Sequence, residues 1–148
     1  MSVLNRIKKA LSPLTKEDPF FGNIRYQKVG FWEGKKYFAP EQKEYEITID
    51  GGEDRPTESQ RQFFRELELR YPGLKWEFSK DLSEQLRNWD ENWDEKDLWS
   101  HFELESFGLP DIDAGQMEWE LVYEHKESGH YFCIMMNGWS VEGIRIDG

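Results

Sequence analysis

The sequence predicts an α+β domain: an antiparallel sheet of hairpins, two central helices packed on one face, and a short helix in front. Three observations carry this. Tyr45, Ile47 and Ile49 alternate with Glu44, Glu46, Thr48 and Asp50, the period-2 pattern of a strand with one dry and one wet face. Met117, Trp119, Leu121 and Tyr123 alternate in the same way with Glu118, Glu120, Val122 and Glu124. Between these runs Phe63, Phe64, Leu67 and Tyr71 recur at helical spacing. Strands, then helices, then strands is the order of an α+β sheet with its helices segregated to one face.

Val3, Leu4, Ile7 and Leu11 fall on one side of a helical wheel, with Lys8 and Lys9 on the other. Pro13 ends that pattern, so residues 1–17 are read as an amphipathic helix and linker, and residues 18–148 as one domain. Strand-like runs follow at Asn23–Lys28, Phe31–Phe38 and Tyr45–Asp50, joined by a turn at Val29-Gly30 and a loop holding Pro40. Tyr45, Ile47 and Ile49 are expected to point inward, against the helix that carries Phe63, Phe64 and Leu67. Thr57 and Gln60 have the spacing of a capping box, so that helix starts there. Pro72-Gly73 is expected to end it and Ser79 to start a second, whose stripe is Leu82, Leu86, Trp89 and Trp93. Strands are expected again at Trp99–Phe107, Met117–His125, His130–Met136 and Trp139–Ile146. Glu127-Ser128-Gly129 and Asn137-Gly138 are the turns between the last three.

At 148 residues the chain fits one domain with a sizeable core. Its one cysteine, Cys133, forms no internal disulfide, and no run approaches the roughly 18–20 apolar residues that span a bilayer. Asn5, Arg6, Lys8 and Lys9 interrupt the opening segment where a secretory signal would be continuously apolar, so the expected location is the cytoplasm. Net charge is −11 and unevenly spread: residues 1–80 carry +2, residues 81–124 carry −12 and the rest −1. Phosphate backbones are held by clustered Lys and Arg, so this distribution argues against nucleic acid and for a basic partner.

Candidate chemistry is thin. His101, His125 and His130 are the only histidines. His125 and His130 flank a turn beside Glu127, but the spacing matches no zinc signature. Asp111-Ile112-Asp113-Ala114-Gly115 has the look of the start of a calcium loop without its third ligand, and turn chemistry explains it better. Cys133 sits among Tyr131, Phe132, Ile134 and Met135 as a small buried hydrophobe. No phosphate-binding or dinucleotide-binding glycine motif and no nucleophile elbow occurs. No catalytic, cofactor-binding or metal residue is therefore assigned.

The unusual segment runs from Asn88 to Trp99 and repeats Trp-Asp-Glu four residues apart, at Trp89-Asp90-Glu91 and Trp93-Asp94-Glu95. Two readings stand side by side. In one the tryptophans continue the core stripe of Leu82 and Leu86. In the other a tryptophan is an exposed anchor ringed by acid, and Trp89, Asp90, Glu91, Trp93, Asp94, Glu95 and Asp97 form a partner-binding surface.

Asp18-Pro19-Phe20-Phe21-Gly22-Asn23-Ile24-Arg25-Tyr26, then Phe31-Trp32-Glu33-Gly34, then Tyr45-Glu46-Ile47-Thr48-Ile49-Asp50 and a Thr-x-x-Gln helix start form a pattern over Asp18 to Tyr71. This half of the chain resembles a group of small bacterial domains that are similar to the immunity proteins kept beside polymorphic and contact-delivered toxins. The resemblance implies a protein that binds and neutralises a cognate toxin, and it carries no catalytic residue or cofactor. The charge adds that the toxin would be basic. The rival expectations are a small enzyme using carboxylate chemistry and a housekeeping scaffold or regulator without a toxin partner.

Overall fold

The computed structural model describes residues 2–3, 13–89, 93 and 96–148. Eight strands form one sheet in chain order: β1 (Thr15–Asp18), β2 (Gly22–Gln27), β3 (Phe31–Phe38), β4 (Lys43–Asp50), β5 (Phe102–Leu109), β6 (Glu118–His125), β7 (Tyr131–Asn137) and β8 (Ser140–Asp147). A single α-helix among the described residues, α1 (Glu58–Trp89), lies between β4 and β5. Neighbouring strands are antiparallel except β4 and β5, which run parallel from Glu46 opposite Ser106 to Ile49 opposite Leu109. A parallel pair needs a crossover rather than a hairpin, and α1 supplies it. The sheet is therefore mixed, two antiparallel meanders joined at a parallel seam, and not the wholly antiparallel set of hairpins that the sequence predicts.

The expected pair of central helices is one helix of 32 residues. Pro72 and Gly73 lie inside it, both exposed. A proline and a glycine in a helix interior cost about 3 and 1 kcal/mol. Against that, Leu74, Phe78, Leu82 and Leu86 are buried on the same stripe that Phe63, Phe64, Leu67 and Tyr71 begin. Each such side chain gains about 1.5–3 kcal/mol from burial, so keeping the stripe in register outweighs both breakers. Burial of one face decides the helix, and the breakers are tolerated where they face water. The short N-terminal helix expected of the opening segment falls, over residues 4–12, outside the described residues. The sheet itself begins at Thr15, within the segment read as linker, because β1 pairs with β2 from Thr15 opposite Arg25 to Asp18 opposite Gly22.

The capping box forms as the spacing predicts. The Thr57 amide donates to Gln60 Oε1 at 3.0 Å, and the Gln60 amide reaches Thr57 Oγ1 at 3.4 Å. Gln60 is fully buried, and its Nε2 donates to the carbonyls of Asp50 and Pro110. One side chain thus ties the helix start to the ends of the two seam strands. Asp18 makes a matching tie farther along the sheet. It accepts from the amides of Phe20 and Phe21 and from Arg61 at 2.7 Å. Burial pushes the Asp18 carboxyl up, but Arg61 and those two amides outweigh it and leave the group below its ordinary value.

Tyr45, Ile47 and Ile49 of β4 are buried in the same core as Phe63, Phe64 and Leu67, as the alternation predicts. The helix-facing side of the sheet continues through Trp32, Phe38, Leu104, Phe107, Leu121, Tyr123, Phe132 and Ile134. On its buried side Tyr123 meets Tyr71 hydroxyl to hydroxyl at 2.6 Å, and Tyr71 donates to Glu41 at 2.8 Å. All helical packing is on this one side. The opposite face of the sheet carries no helix among the described residues.

Candidate functional site

The strand alternation decides what the uncovered face presents. Register aligns Glu33 with Thr48, Lys35 with Glu46, Glu46 with Ser106 and Thr48 with Gly108, all on the side away from α1. Across the next pairs Glu103 lies opposite Glu124, Ser106 opposite Val122, Glu120 opposite Met135 and Cys133 opposite Arg145. A bulge between Leu104 and Ser106 turns Glu105 to the same side. Carboxylates therefore stand on this face from β3, β4, β5, β6 and β8, whereas its cations among the described residues are Arg25, Lys35 and Arg145.

The middle of the face is a trough. Three adjoining hollows of about 330, 300 and 350 Å³ share Thr48, Ser106, Glu46 and Glu120 among their walls. The floor at the parallel seam is Thr48, Ser106 and Gly108. A Cβ on Gly108 would come within 2.8 Å of Thr48 Oγ1, so the seam admits no larger residue there without moving Thr48. Two carboxyls over the trough form no ion pair among the described residues. Burial, then repulsion from Asp111 and Glu120, raises Asp50, and burial, then a hydrogen bond and repulsion from Glu124, raises Glu105. Arg145 is held at the far end of the trough by Asp147 at 3.0 Å and Glu120 at 3.7 Å.

The residues singled out in the Trp-Asp-Glu segment are placed differently from the helical stripe expected of them. α1 ends at Trp89, and Trp93 lies beyond it. Trp89 is half exposed and stands edge-on to His125, His130 and Phe132. Trp93 is partly buried, 5.1 Å from the His101 ring and 6.5 Å from that of His125. Both tryptophans thus clamp the end of the helix on the β6–β7 hairpin. Asp97 is an exposed turn residue with φ 56°, whose carbonyl accepts from Ser100. Asp90, Glu91, Asp94 and Glu95 lie outside the described residues.

All three histidines meet at this hairpin. His101 contacts Glu127, and His125 Nδ1 is 2.8 Å from Ser128 Oγ. His125 Nε2 is 3.4 Å from Glu127 Oε2 but out of line for a hydrogen bond, which leaves that nitrogen unpartnered. Burial, outweighing the attraction of Glu127, lowers the His125 pKa. No group of three or more metal-binding side chains occurs among the described residues. Asp111 and Asp113, at the segment that has the look of a calcium loop, hold protein donors instead. Asp111 accepts from Arg55 at 2.7 Å, and Asp113 from Thr57 at 2.5 Å and Ser59 at 3.2 Å.

Sequence reasoning missed the open face as a unit. The signal was present in the carboxylates at the wet positions of β4 and β6, which as single strands read as solvated surface. No helix among the described residues is long and apolar enough to cross a membrane. Compared with protein-family models, curated proteins and solved structures, the chain matches none.

Proposed function

We propose that this chain is an immunity-type protein that binds a basic protein toxin through the open face of its sheet and neutralises it by occupying the toxin's cationic surface. The observation that carries the reading is the hollowed face, free of helix among the described residues, with carboxylates from five strands, two of them raised and in no ion pair among those residues. Complementary charge of that kind steers encounter and fixes register, and a partner's Lys or Arg would relieve the repulsion around Asp50 and Glu105. The resemblance of Asp18 to Tyr71 to immunity domains supports the same reading. This reading places the partner on the sheet face; of the Trp89–Asp97 surface, Trp89 and Trp93 pack on the hairpin, and Asp90, Glu91, Asp94 and Glu95 lie outside the described residues.

A carboxylate enzyme is the second reading, favoured by Glu124 standing close enough to Glu105 to raise it. That pair stands on a face that no helix covers among the described residues, a more open setting than the closed site in which a general acid works.

The experiment is co-expression with the products of the genes adjacent to this one, scored by growth and by association kinetics at low and high salt. Glu46→Lys with Glu120→Lys should slow association at least tenfold, steepest at low salt, with the melting temperature close to the parent. A double variant that protects cells and binds as the parent does would overturn the reading. Loss of protection in Glu105→Gln alone, with binding intact, would favour the enzyme.

A further inference from the structure

The outward side of α1 carries a second apolar stripe. Leu69 is 84% exposed and Trp76 is 71% exposed, and they stand seven residues apart, two turns along the same side of the helix. Pro72 and Gly73, both exposed, fill the turn between them. The four residues have the i, i+3, i+4, i+7 spacing of a helix seam, and this seam faces water. A lone exposed leucine needs no explanation, but a continuous stripe that includes a tryptophan does. Nor does the fold account for the middle of the stripe. Pro72 and Gly73 disfavour a helix interior, and a Cβ on Gly73 would meet nothing within 4 Å, so the chain itself does not require glycine there. A second backbone approaching closely does.

The charges beside the stripe are disposed about its middle with opposite signs. Glu66 and Lys80 lie seven residues before and after Gly73, and Arg70 and Glu77 lie three before and four after. All four are exposed, and helical spacing puts them to one flank of the stripe. A twofold rotation that packs two such stripes antiparallel keeps each flank on its own side. It sets Glu66 beside Lys80 of the second copy and Arg70 beside Glu77 of the second copy, and each pair occurs twice. Leu69 then meets Trp76 of the second copy, with Gly73 at the crossing. Parallel packing would instead set each charge against itself. Glu66 and Arg70 pair only with each other, at 2.8 Å, and Glu77 and Lys80 form no ion pair among the described residues.

We propose that the outward face of α1 is a self-association surface, on which a second copy of this chain packs antiparallel with Leu69 against Trp76 and Gly73 at the crossing. One helix pair buries less than the roughly 1,200 Å² at which stable complexes begin, so the dimer is a weak one that forms at high micromolar protein. The helix and the hollowed face lie on opposite sides of the sheet, so the dimer leaves both hollowed faces open.

Sedimentation equilibrium of the full chain from about 10 μM to about 1 mM, at about 0.15 M salt so that net charge is screened, tests this. The mass should rise with concentration from monomer towards dimer. Leu69→Gln and Trp76→Ser, chosen for nearly equal helix propensity, should each weaken the dimer about tenfold or more, and in dilute solution should melt within about 2 °C of the parent. Glu66→Lys should weaken it too, although it lowers the net charge, and Glu66→Lys with Lys80→Glu should restore it. The Glu46→Lys with Glu120→Lys variant, altered only on the sheet face, should dimerise at least as well as the parent, which keeps this test separate from that of the toxin-binding face. A monomer throughout the range, a dimer unchanged in Trp76→Ser, or a double swap no better than Glu66→Lys alone would overturn the proposal. A monomer whose melting temperature falls by several degrees in Trp76→Ser would overturn it as well, and would give the stripe to a contact within the chain.

Discussion

Replacing Gly73 by alanine tests the continuous helix directly, because the two ways of ending or not ending α1 give effects of opposite sign. Gly73 is exposed, has no positive φ, and a Cβ built on it meets nothing within 4 Å. In a helix interior alanine is then favoured over glycine by about 0.5–1 kcal/mol, mostly through the unfolded chain's lost freedom. Unfolding entropy of about 2.1 cal/mol/K per residue gives this chain roughly 0.3 kcal/mol/K, so Gly73→Ala should raise the melting temperature by about 2–3 °C. Were the helix to stop at Pro72-Gly73 with Gly73 in the left-handed cap position, alanine would cost about 1–2 kcal/mol and lower it by several degrees. Calorimetry of the single variant at neutral pH decides between them. Pro72→Ala should stabilise further, by about 1–3 kcal/mol, since it restores an amide donor on the exposed side of the same helix. A fall in melting temperature in Gly73→Ala would refute the argument that the buried stripe carries the helix through both breakers.

The buried tyrosine pair should respond asymmetrically. Tyr71→Phe leaves the Tyr123 hydroxyl orphaned in the core and should cost about 1–3 kcal/mol in urea unfolding, whereas Tyr123→Phe leaves Tyr71 still donating to Glu41 and should cost about 1 kcal/mol or less. Equal losses would mean that Tyr123 has another partner. Stability should also fall on mild acidification. His125 is lowered in the folded state, so below about pH 6.5 the unfolded chain binds the proton more readily, and the loss grows until the pH passes the folded value. The drop in melting temperature between about pH 7.5 and 5.5, which brackets that ordinary value, should be smaller in His125→Gln than in the parent. A drop of equal size would remove His125 from the account.

Much of the fold is legible because local rules agree there. Glu44 to Asp50 and Glu118 to His125 alternate cleanly, Thr57 and Gln60 cap the helix, and Asn137-Gly138 marks the place of the last hairpin, though its two loop residues are Gly138 and Trp139, with Asn137 paired to Ser140. The helix count is not legible by the same route. Pro72-Gly73 is a strong local stop, and it loses only to burial that depends on what Leu74 and Phe78 touch across the sheet. Yet those two residues bridge Tyr71 to Leu82 at spacings of three and four, so the stripe itself was in view. The parallel seam is set by how a 32-residue crossover returns to the sheet, and no short window contains that.

The site shows why charge counted along the chain misleads. Residues 1–80 carry a net +2 and look neutral, but their charges separate across the sheet. Lys16 donates to the carbonyls of Glu53 and Arg55, Lys36 lies over Phe20, Arg55 pairs with Asp111 and Arg61 with Asp18, all on the helix side or at its rim. What remains on the other face of the same strands is Glu33, Glu44, Glu46 and Asp50 with few cations among them. β4 then joins β5 and β6 edge to edge, and Glu105 and Glu120 continue the field. Acid from a segment that appears balanced and acid from a segment that is visibly acidic thus become one surface. That surface exists only because period-2 alternation sorts side chains by face before topology sets the strands side by side.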